Sequence, residues 1–282
     1  MAKKLNIIKT EVNIGLKKPI KLLHITDSHL TYVGEENHGN ETRWKCFESE
    51  DDRGSAMRYY LEALKYAEDN NLLLVNTGDI IDFLSVGNFE FLDKYFYNAD
   101  CIYAAGNHDF CHCVGKAKED RAYKWEMMKR SALHFRQNLY FDSRIVDGVN
   151  FVTMDNGYYM IESAQIEMLK AEIAKGLPIV LCMHVPLYEK SLAESEMRRN
   201  PCAYVVAAPE SLLSTYPEDR RIQQTPDEET LKAVEFIKNE PLIKLLITGH
   251  THYNYDVILD NGVREICTEG TYQGTAREIL LY

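Results

Sequence analysis

Five short polar motifs follow one another along the chain, each directly behind a short apolar run. They are Asp27-Ser28-His29, Gly78-Asp79-Ile80-Ile81-Asp82, Gly106-Asn107-His108-Asp109, His184, and Gly249-His250-Thr251-His252. The runs ahead of them are Leu22–Thr26, Leu72–Val75, Cys101–Ala104, Ile179–Met183 and Leu245–Thr248. Their length and partly β-branched composition predict buried strands. The polar residues then lie where strands end and loops begin, so side chains from several strands can converge on one crevice.

Between these runs the periodicity changes. Over Ser55–Asp69 apolar residues recur at helical spacing (Ala56, Tyr59, Tyr60, Ala63, Leu64, Ala67), with Ser55 placed as an N-cap. Lys118–Leu133 also reads as helical, as does Ala164–Lys175, which Gly176 stops. Leu139–Ile145 and Val149–Met154 flank Asp147-Gly148, a hairpin signal, and Tyr253–Leu259 and Val263–Cys267 flank Asp260-Asn261-Gly262, another. Lys3–Gly15 alternates weakly, as a hairpin strand ahead of Leu22–Thr26 would, and Glu278–Tyr282 closes the chain. Thr31–Gly54, with Arg43, Trp44 and Arg53, reads as a long polar loop. The first half is thus strand–helix–strand and the second largely hairpins, a mixture that fits two packed sheets with helices outside.

A chain of 282 residues suits one large domain, taken as 1–282. Pro186–Pro226 breaks the strand rhythm and is rich in Pro, Arg and Glu, yet strand chemistry resumes after it. It is therefore expected to be an insertion or lid, not a linker. The net charge of −11 repels phosphate backbones, so nucleic acid is not an expected partner. A small phosphate ester stays open as a substrate, because bound cations invert the local field. Lys9 and Glu11 interrupt the apolar residues near the start, and no stretch is long enough to span a bilayer, so neither a signal peptide nor a membrane is expected. Seven cysteines, an odd number without a framework spacing, point to reduced thiols in the cytoplasm.

Carboxylates and imidazoles gathered in one cluster form a donor set suited to Mn, Fe or Zn more than to Ca²⁺ or Mg²⁺. A lone Asp-x-His occurs by chance, and a lone Gly-Asn-His-Asp can be a turn. The joint occurrence and order of all five motifs is what carries the reading. That order, from about Lys21 to His252, resembles the calcineurin-like metallophosphoesterase superfamily. The resemblance implies an α+β fold, a four-layer α/β/β/α sandwich of two mixed sheets with helices outside. It implies two divalent or trivalent transition-metal ions. Asp27, His29 and His252 would bind the first, with Asp79 bridging, and Asn107, His184 and His250 would complete the second.

The reaction implied is hydrolysis of a phosphate ester by a hydroxide held between the two cations, attacking phosphorus in line. In the family the residue matching His108 is a general acid, and imidazole has an ordinary pKa suited to that work. Asp109 would orient His108 or support the ligands, and Asp82 is a candidate for similar support. The bland alternative for both is capping of local turns. Small phosphomonoesters or phosphodiesters lead as substrates. The alternatives are a cyclic-nucleotide phosphodiesterase, a nucleotide pyrophosphatase or, in another class, a non-catalytic metal-binding scaffold.

Other residues invite weaker readings. Cys111-His112-Cys113 lacks a matching ligand pair nearby and reads as a thiol-bearing loop beside the site. His24, inside a strand, reads as a core histidine, and His38 and His134 as surface residues. Arg198-Arg199 and Arg220-Arg221 could reach a substrate phosphate, but solvated charge is the ordinary role of such pairs. Most of the 18 tyrosines, including Tyr59-Tyr60 and Tyr158-Tyr159, belong to core or rim.

Overall fold

The computed structural model describes residues 4–31, 55–111 and 121–282. Its first part runs β1 (Asn6–Val12), β2 (Ile20–Ile25), α1 (Ser55–Asp69), β3 (Leu73–Asn76), α2 (Val86–Phe91, continued by a π-helical turn at Leu92–Phe96) and β4 (Cys101–Tyr103). Then come α3 (Arg121–Ser131), β5 (Phe141–Val146), β6 (Val149–Met154), α4 (Ser163–Ile173) and β7 (Ile179–Cys182). The last part holds α5 (Lys190–Met197), α6 (Glu210–Leu213), α7 (Glu218–Gln224), α8 (Glu228–Asn239), β8 (Ile243–Thr248), β9 (Tyr255–Ile258), β10 (Arg264–Cys267) and β11 (Thr275–Leu281).

Neighbouring residues on the central strands enter different apolar layers, as the two-residue period of a strand requires. Leu22, Val75 and Ile102 of the first sheet meet Phe151, Val180, Leu245 and Ile247 of the second in a central layer. The adjacent Leu23, Leu74 and Tyr103 face outward against Tyr60, Ala63 and Ala67 of α1 and Met127 and Met128 of α3. On the far side Val152, Leu181 and Leu246 pack against Ile166 and Leu169 of α4 and Ala233, Val234 and Ile237 of α8. Three apolar layers between four layers of secondary structure make the α/β/β/α sandwich. Strands buried on both faces explain why the motif-bearing runs lack polar alternation.

The sheets have five strands in the order β1-β11-β2-β3-β4 and six in the order β5-β6-β7-β8-β10-β9. Within the first, β2, β3 and β4 are parallel. Within the second, β6, β7, β8 and β10 are parallel, and the antiparallel hairpins add only its two edges. Two expectations are corrected here. The second half is a parallel core with hairpin edges, not largely hairpins. The first strand makes no hairpin with β2, because β11 comes between them, parallel to β1 and antiparallel to β2.

The segment 186–226 carries α5, α6 and α7 around a small apolar cluster of its own, including Leu192, Cys202, Val205, Leu213 and Tyr216. That cluster rests on Tyr255 and Val257 of β9, and a bridge between Leu187 and Val206 closes its base. No helix of the described residues is long and apolar enough to cross a membrane.

Candidate metal centre

The ends of β2, β3, β4, β7 and β8 bring the polar motifs to one place. Asp27, His29, Asp79, His250 and His252 all have positive φ, between 45° and 68°. Residues with side chains rarely hold that backbone conformation, and such strain persists where surrounding structure imposes it. Two glycines make the convergence possible. A Cβ on Gly106 would lie 2.1 Å from Asp79 Oδ1, and one on Gly249 would lie 1.9 Å from Thr26 Oγ1. Any side chain at either point would push two motif loops apart.

The side chains form two donor groups. In one, His252 Nε2 is 3.0 Å from His29 Nε2 and 3.2 Å from Asp27 Oδ1. In the other, His184 Nε2 is 3.2 Å from both Asp79 Oδ2 and His250 Nδ1. His29 Nε2 lies 3.7 Å from Asp79 Oδ2, so Asp79 faces both groups. Within each of the trios Asp27–His29–His252 and Asp79–His184–His250, the donor atoms lie within 4.8 Å of one another.

Each imidazole turns one nitrogen to its group while a neighbour fixes the other. His29 Nδ1 meets Asp82 Oδ1 at 2.9 Å, and His184 Nδ1 meets the Thr77 carbonyl at 2.6 Å. His250 Nε2 meets the Tyr159 hydroxyl at 2.9 Å, and His252 Nδ1 meets the Tyr272 hydroxyl at 3.2 Å. This is the arrangement that sets tautomer and ring orientation in metal-ligating histidines.

The electrostatics point the same way. Burial works against the Asp27 carboxylate, yet the facing His252 and His184 hold it ionised well below the usual range. Burial likewise opposes Asp79, and His184 and His108 outweigh it and lower its pKa. Burial alone would lower His29 and His184. Hydrogen bonds to Asp27 and Asp82 push His29 up to about 10, and the charges of Asp79 and Asp27 push His184 up to about 9. Two buried carboxylates that draw positive charge onto imidazoles suit cations. Asn107 Oδ1 is moreover buried without a hydrogen-bond partner. Such an oxygen is costly unless something takes its lone pairs, and the donor set suits metal ions.

His108 stands beside the donor groups, partly exposed, with Nδ1 2.8 Å from the Asp82 carbonyl and 3.1 Å from its Oδ1. Its backbone N–H donates to Asp79 Oδ1 at 2.8 Å. Asp109 does not orient it. Asp109 Oδ2 accepts from the Gly106 and Asp79 backbone N–H groups and from the Tyr103 hydroxyl, so this carboxylate ties the two loops together from behind. Asp82 holds His108 and His29 at once.

Sequence reasoning did not single out several supporting residues. Asn156 accepts from the His184 and Val185 backbone N–H groups, and its amide donates to the Val185 carbonyl. Lys124 and Asp155 form a buried ion pair at 2.7 Å beside that turn. No local pattern marks these residues, because their partners come from other strands. His24 is a core histidine as expected, bonded to Thr268 and Thr77, and burial and Arg277 lower its pKa to about 3. His134 pairs with Asp93 at the surface. His38, Arg43, Trp44, Arg53, His112 and Cys113 lie outside the described residues.

The donor groups open into a cleft of about 810 Å³. Cys111, Tyr159, Tyr272 and His108 line it, together with Asn200, Tyr204 and Arg220 of the segment 186–226. Arg199 is turned away to Tyr255 and Ser195.

Comparisons with known proteins bear on the fold and the family. A dimetal phosphatase from Danio rerio is similar over 90% of this chain and 88% of its own, at 14% identity and a TM-score of 0.51, which shows a common fold. A purple acid phosphatase from yellow lupin (Lupinus luteus) aligns over 94% of this chain and 44% of its own, at 13% identity and a TM-score of 0.48. Among curated proteins none matches. The family model described as calcineurin-like phosphoesterase matches residues 20–254. That span begins at the first strand of the central core and runs past the last donor, His252. The chain therefore belongs to the calcineurin-like phosphoesterase family and is a metal-dependent phosphoesterase.

Proposed function

We propose that this enzyme hydrolyses small phosphate mono- or diesters, with Asp27, His29, Asp79, Asn107, His184, His250 and His252 holding two ions of Mn, Fe or Zn. The observation that carries this is the pair of donor groups facing Asp79, with His108 held beside them by the same Asp82 that anchors His29. When bound, two such cations supply an acidified water as nucleophile and neutralise charge on the phosphoryl oxygens.

The chain's own residues do the rest. Asp79, facing both donor groups, would hold both ions. Asn107 would offer a neutral amide oxygen, a weaker donor of charge than a carboxylate. His108 lines the cleft while Asp82 anchors its Nδ1, so its Nε2 is left to deliver a proton to the departing alkoxide. Asp109 fixes the loop that carries Asn107 and His108 and takes no part in proton transfer. We further take 1–282 as a single catalytic domain in which 186–226 acts as a lid, since that segment contributes residues to the lining of the cleft. Asn200, Tyr204 and Arg220 of that segment would meet the organic part of the ester and choose among substrates. A cytoplasmic site of action accords with Cys101, Cys182, Cys202 and Cys267, which are buried free thiols.

The test is hydrolysis of p-nitrophenyl phosphate and bis-p-nitrophenyl phosphate by protein stripped of metal and then given Mn²⁺, Zn²⁺, Fe²⁺ or Mg²⁺. Turnover restored by a transition metal and abolished by Asp79→Asn supports the reading. The ratio of the two rates assigns monoester or diester preference. Full occupancy of both sites without turnover on any phosphate ester would favour a metal-binding scaffold instead.

A further inference from the structure

The two donor groups have separate controls. His250 belongs to one group and His252 to the other, and each ring is steered on its far side by a tyrosine. Tyr159 Oη lies 2.9 Å from His250 Nε2, and Tyr272 Oη lies 3.2 Å from His252 Nδ1. The rings also meet edge-on, with centroids 5.5 Å apart for Tyr159–His250 and 5.1 Å for Tyr272–His252. The two tyrosines reach the site from unrelated loops, one after β6 and the other between β10 and β11.

Tyr159 is held in place at a cost. It and Tyr158 are consecutive residues with φ of 63° and 62°, a strained pair for side-chain-bearing residues. The turn is pinned by the buried Lys124–Asp155 ion pair and by Asn156, whose amide also grips the His184 loop. A turn this constrained, delivering a hydroxyl to a donor histidine, has the mark of a site feature more than of a packing accident. Tyr272 is likewise fixed. Its backbone N–H donates to the Asp27 carbonyl at 3.2 Å, and its hydroxyl accepts from Gln273 Nε2 at 2.8 Å.

We propose that Tyr159 and Tyr272 are positioning residues, each for one of the two metal positions. This rests on the two-metal reading above. With Nδ1 of His250 giving its lone pair to a cation, Nε2 carries the proton and donates to Tyr159 Oη. With Nε2 of His252 as donor atom, Nδ1–H donates to Tyr272 Oη. Removing one hydroxyl frees one ring to rotate or change tautomer and leaves the other group untouched. The two sites are therefore separately tunable, although they share Asp79.

The test is metal titration of the stripped wild-type protein and of Tyr159→Phe and Tyr272→Phe, followed by calorimetry and by bound-metal content after gel filtration. Phe keeps the ring and removes only the hydroxyl, and the melting temperature of each metal-free variant reports any purely structural effect. The wild type should bind two ions. Each variant should keep one site at wild-type affinity and weaken the other about 10- to 100-fold, the usual effect of losing such a partner. The double variant should weaken both, and excess metal should restore turnover in each single variant. Two wild-type sites that both variants leave unchanged, or that either variant weakens equally, would overturn the assignment. A wild type that binds fewer than two ions would overturn the two-metal reading itself, and with it this inference.

Discussion

At the scale of single residues, Asp82 links a donor histidine to the proposed acid. One carboxylate oxygen lies 2.9 Å from His29 Nδ1 and 3.1 Å from His108 Nδ1, so it serves a donor histidine and the proposed acid together. Burial opposes its charge, yet its bonds to His108 and His29 hold it ionised well below the usual carboxylate range. Different losses follow from His108→Ala and Asp82→Ala. His108→Ala should bind both metals normally and lose roughly 10²- to 10⁴-fold in turnover on alkyl esters, the usual worth of a general acid. The loss should shrink on aryl esters, whose leaving groups need little protonation. Asp82→Ala should lose turnover and also weaken metal binding about 10- to 100-fold, because His29 is released as well. Titration beside rate measurement on both ester types separates them, and an alkyl-ester rate unchanged in His108→Ala would remove the histidine from the mechanism. The residues that the structure gathers into two groups already stood out by their motifs. Asp109 was legible as important but not in its place, since sequence cannot show that its carboxylate folds back onto Gly106 and Tyr103 while Asp82 reaches forward.

At the scale of elements, strands that end in donors announce themselves by uninterrupted apolar runs, whereas helices that only pack do so less clearly. The helix α8 shows what such a signal looks like. Asp227 caps it by accepting from the Thr230 N–H at 2.8 Å, two glutamates occupy its first turn, and Ala233, Val234 and Ile237 form its buried face. Asp227 also pairs with Arg121 of α3 at 3.0 Å, but this pair is near-half exposed and adds little. Asp227→Ala should cost about 0.5–2 kcal/mol through the lost cap, and Asp227→Ser should recover most of it. For a chain of this size that is a fall in Tm of roughly 2–6 °C. Metal binding and turnover should not change, since no residue of α8 lines the cleft. Thermal unfolding of the two variants checks this, and equal Tm values for Ala and Ser would remove the cap as the cause. The pairing of β1 with β11 was not legible in the same way. Asn6 pairs with Thr275 across nearly the whole chain, and no local pattern encodes a partner at that distance.

At the scale of the whole molecule, the two sheets bury nearly every residue of their central strands, and a carboxyl group caught in that arrangement must respond to pH. Glu265 on β10 is fully buried, and its Oε1 accepts from the Leu187 N–H at 3.0 Å, where the segment 186–226 leaves the second sheet. Burial pushes its pKa up to about 8, and the Leu187 N–H offsets only part of that. The unfolded chain would ionise it at the ordinary glutamate value of about 4.3. Between these values the native state holds a proton that the unfolded state has lost. The stabilising effect of that proton is complete below about pH 4 and is lost as pH rises toward 8. The wild type should therefore become less stable from pH 5 to pH 8.5 by an amount that Glu265→Gln removes. The difference should be roughly 1–3 kcal/mol, the scale of an uncompensated buried polar group. Glutamine keeps the shape and an acceptor oxygen for the Leu187 N–H, so the base of the segment should stay intact. Denaturant unfolding of both proteins across this range reads the effect. Parallel pH profiles would mean that Glu265 is ionised in the native state and that the charge is accommodated where the segment meets the sheet. A flatter profile in the variant would mean that this junction tolerates the carboxyl only while it is neutral.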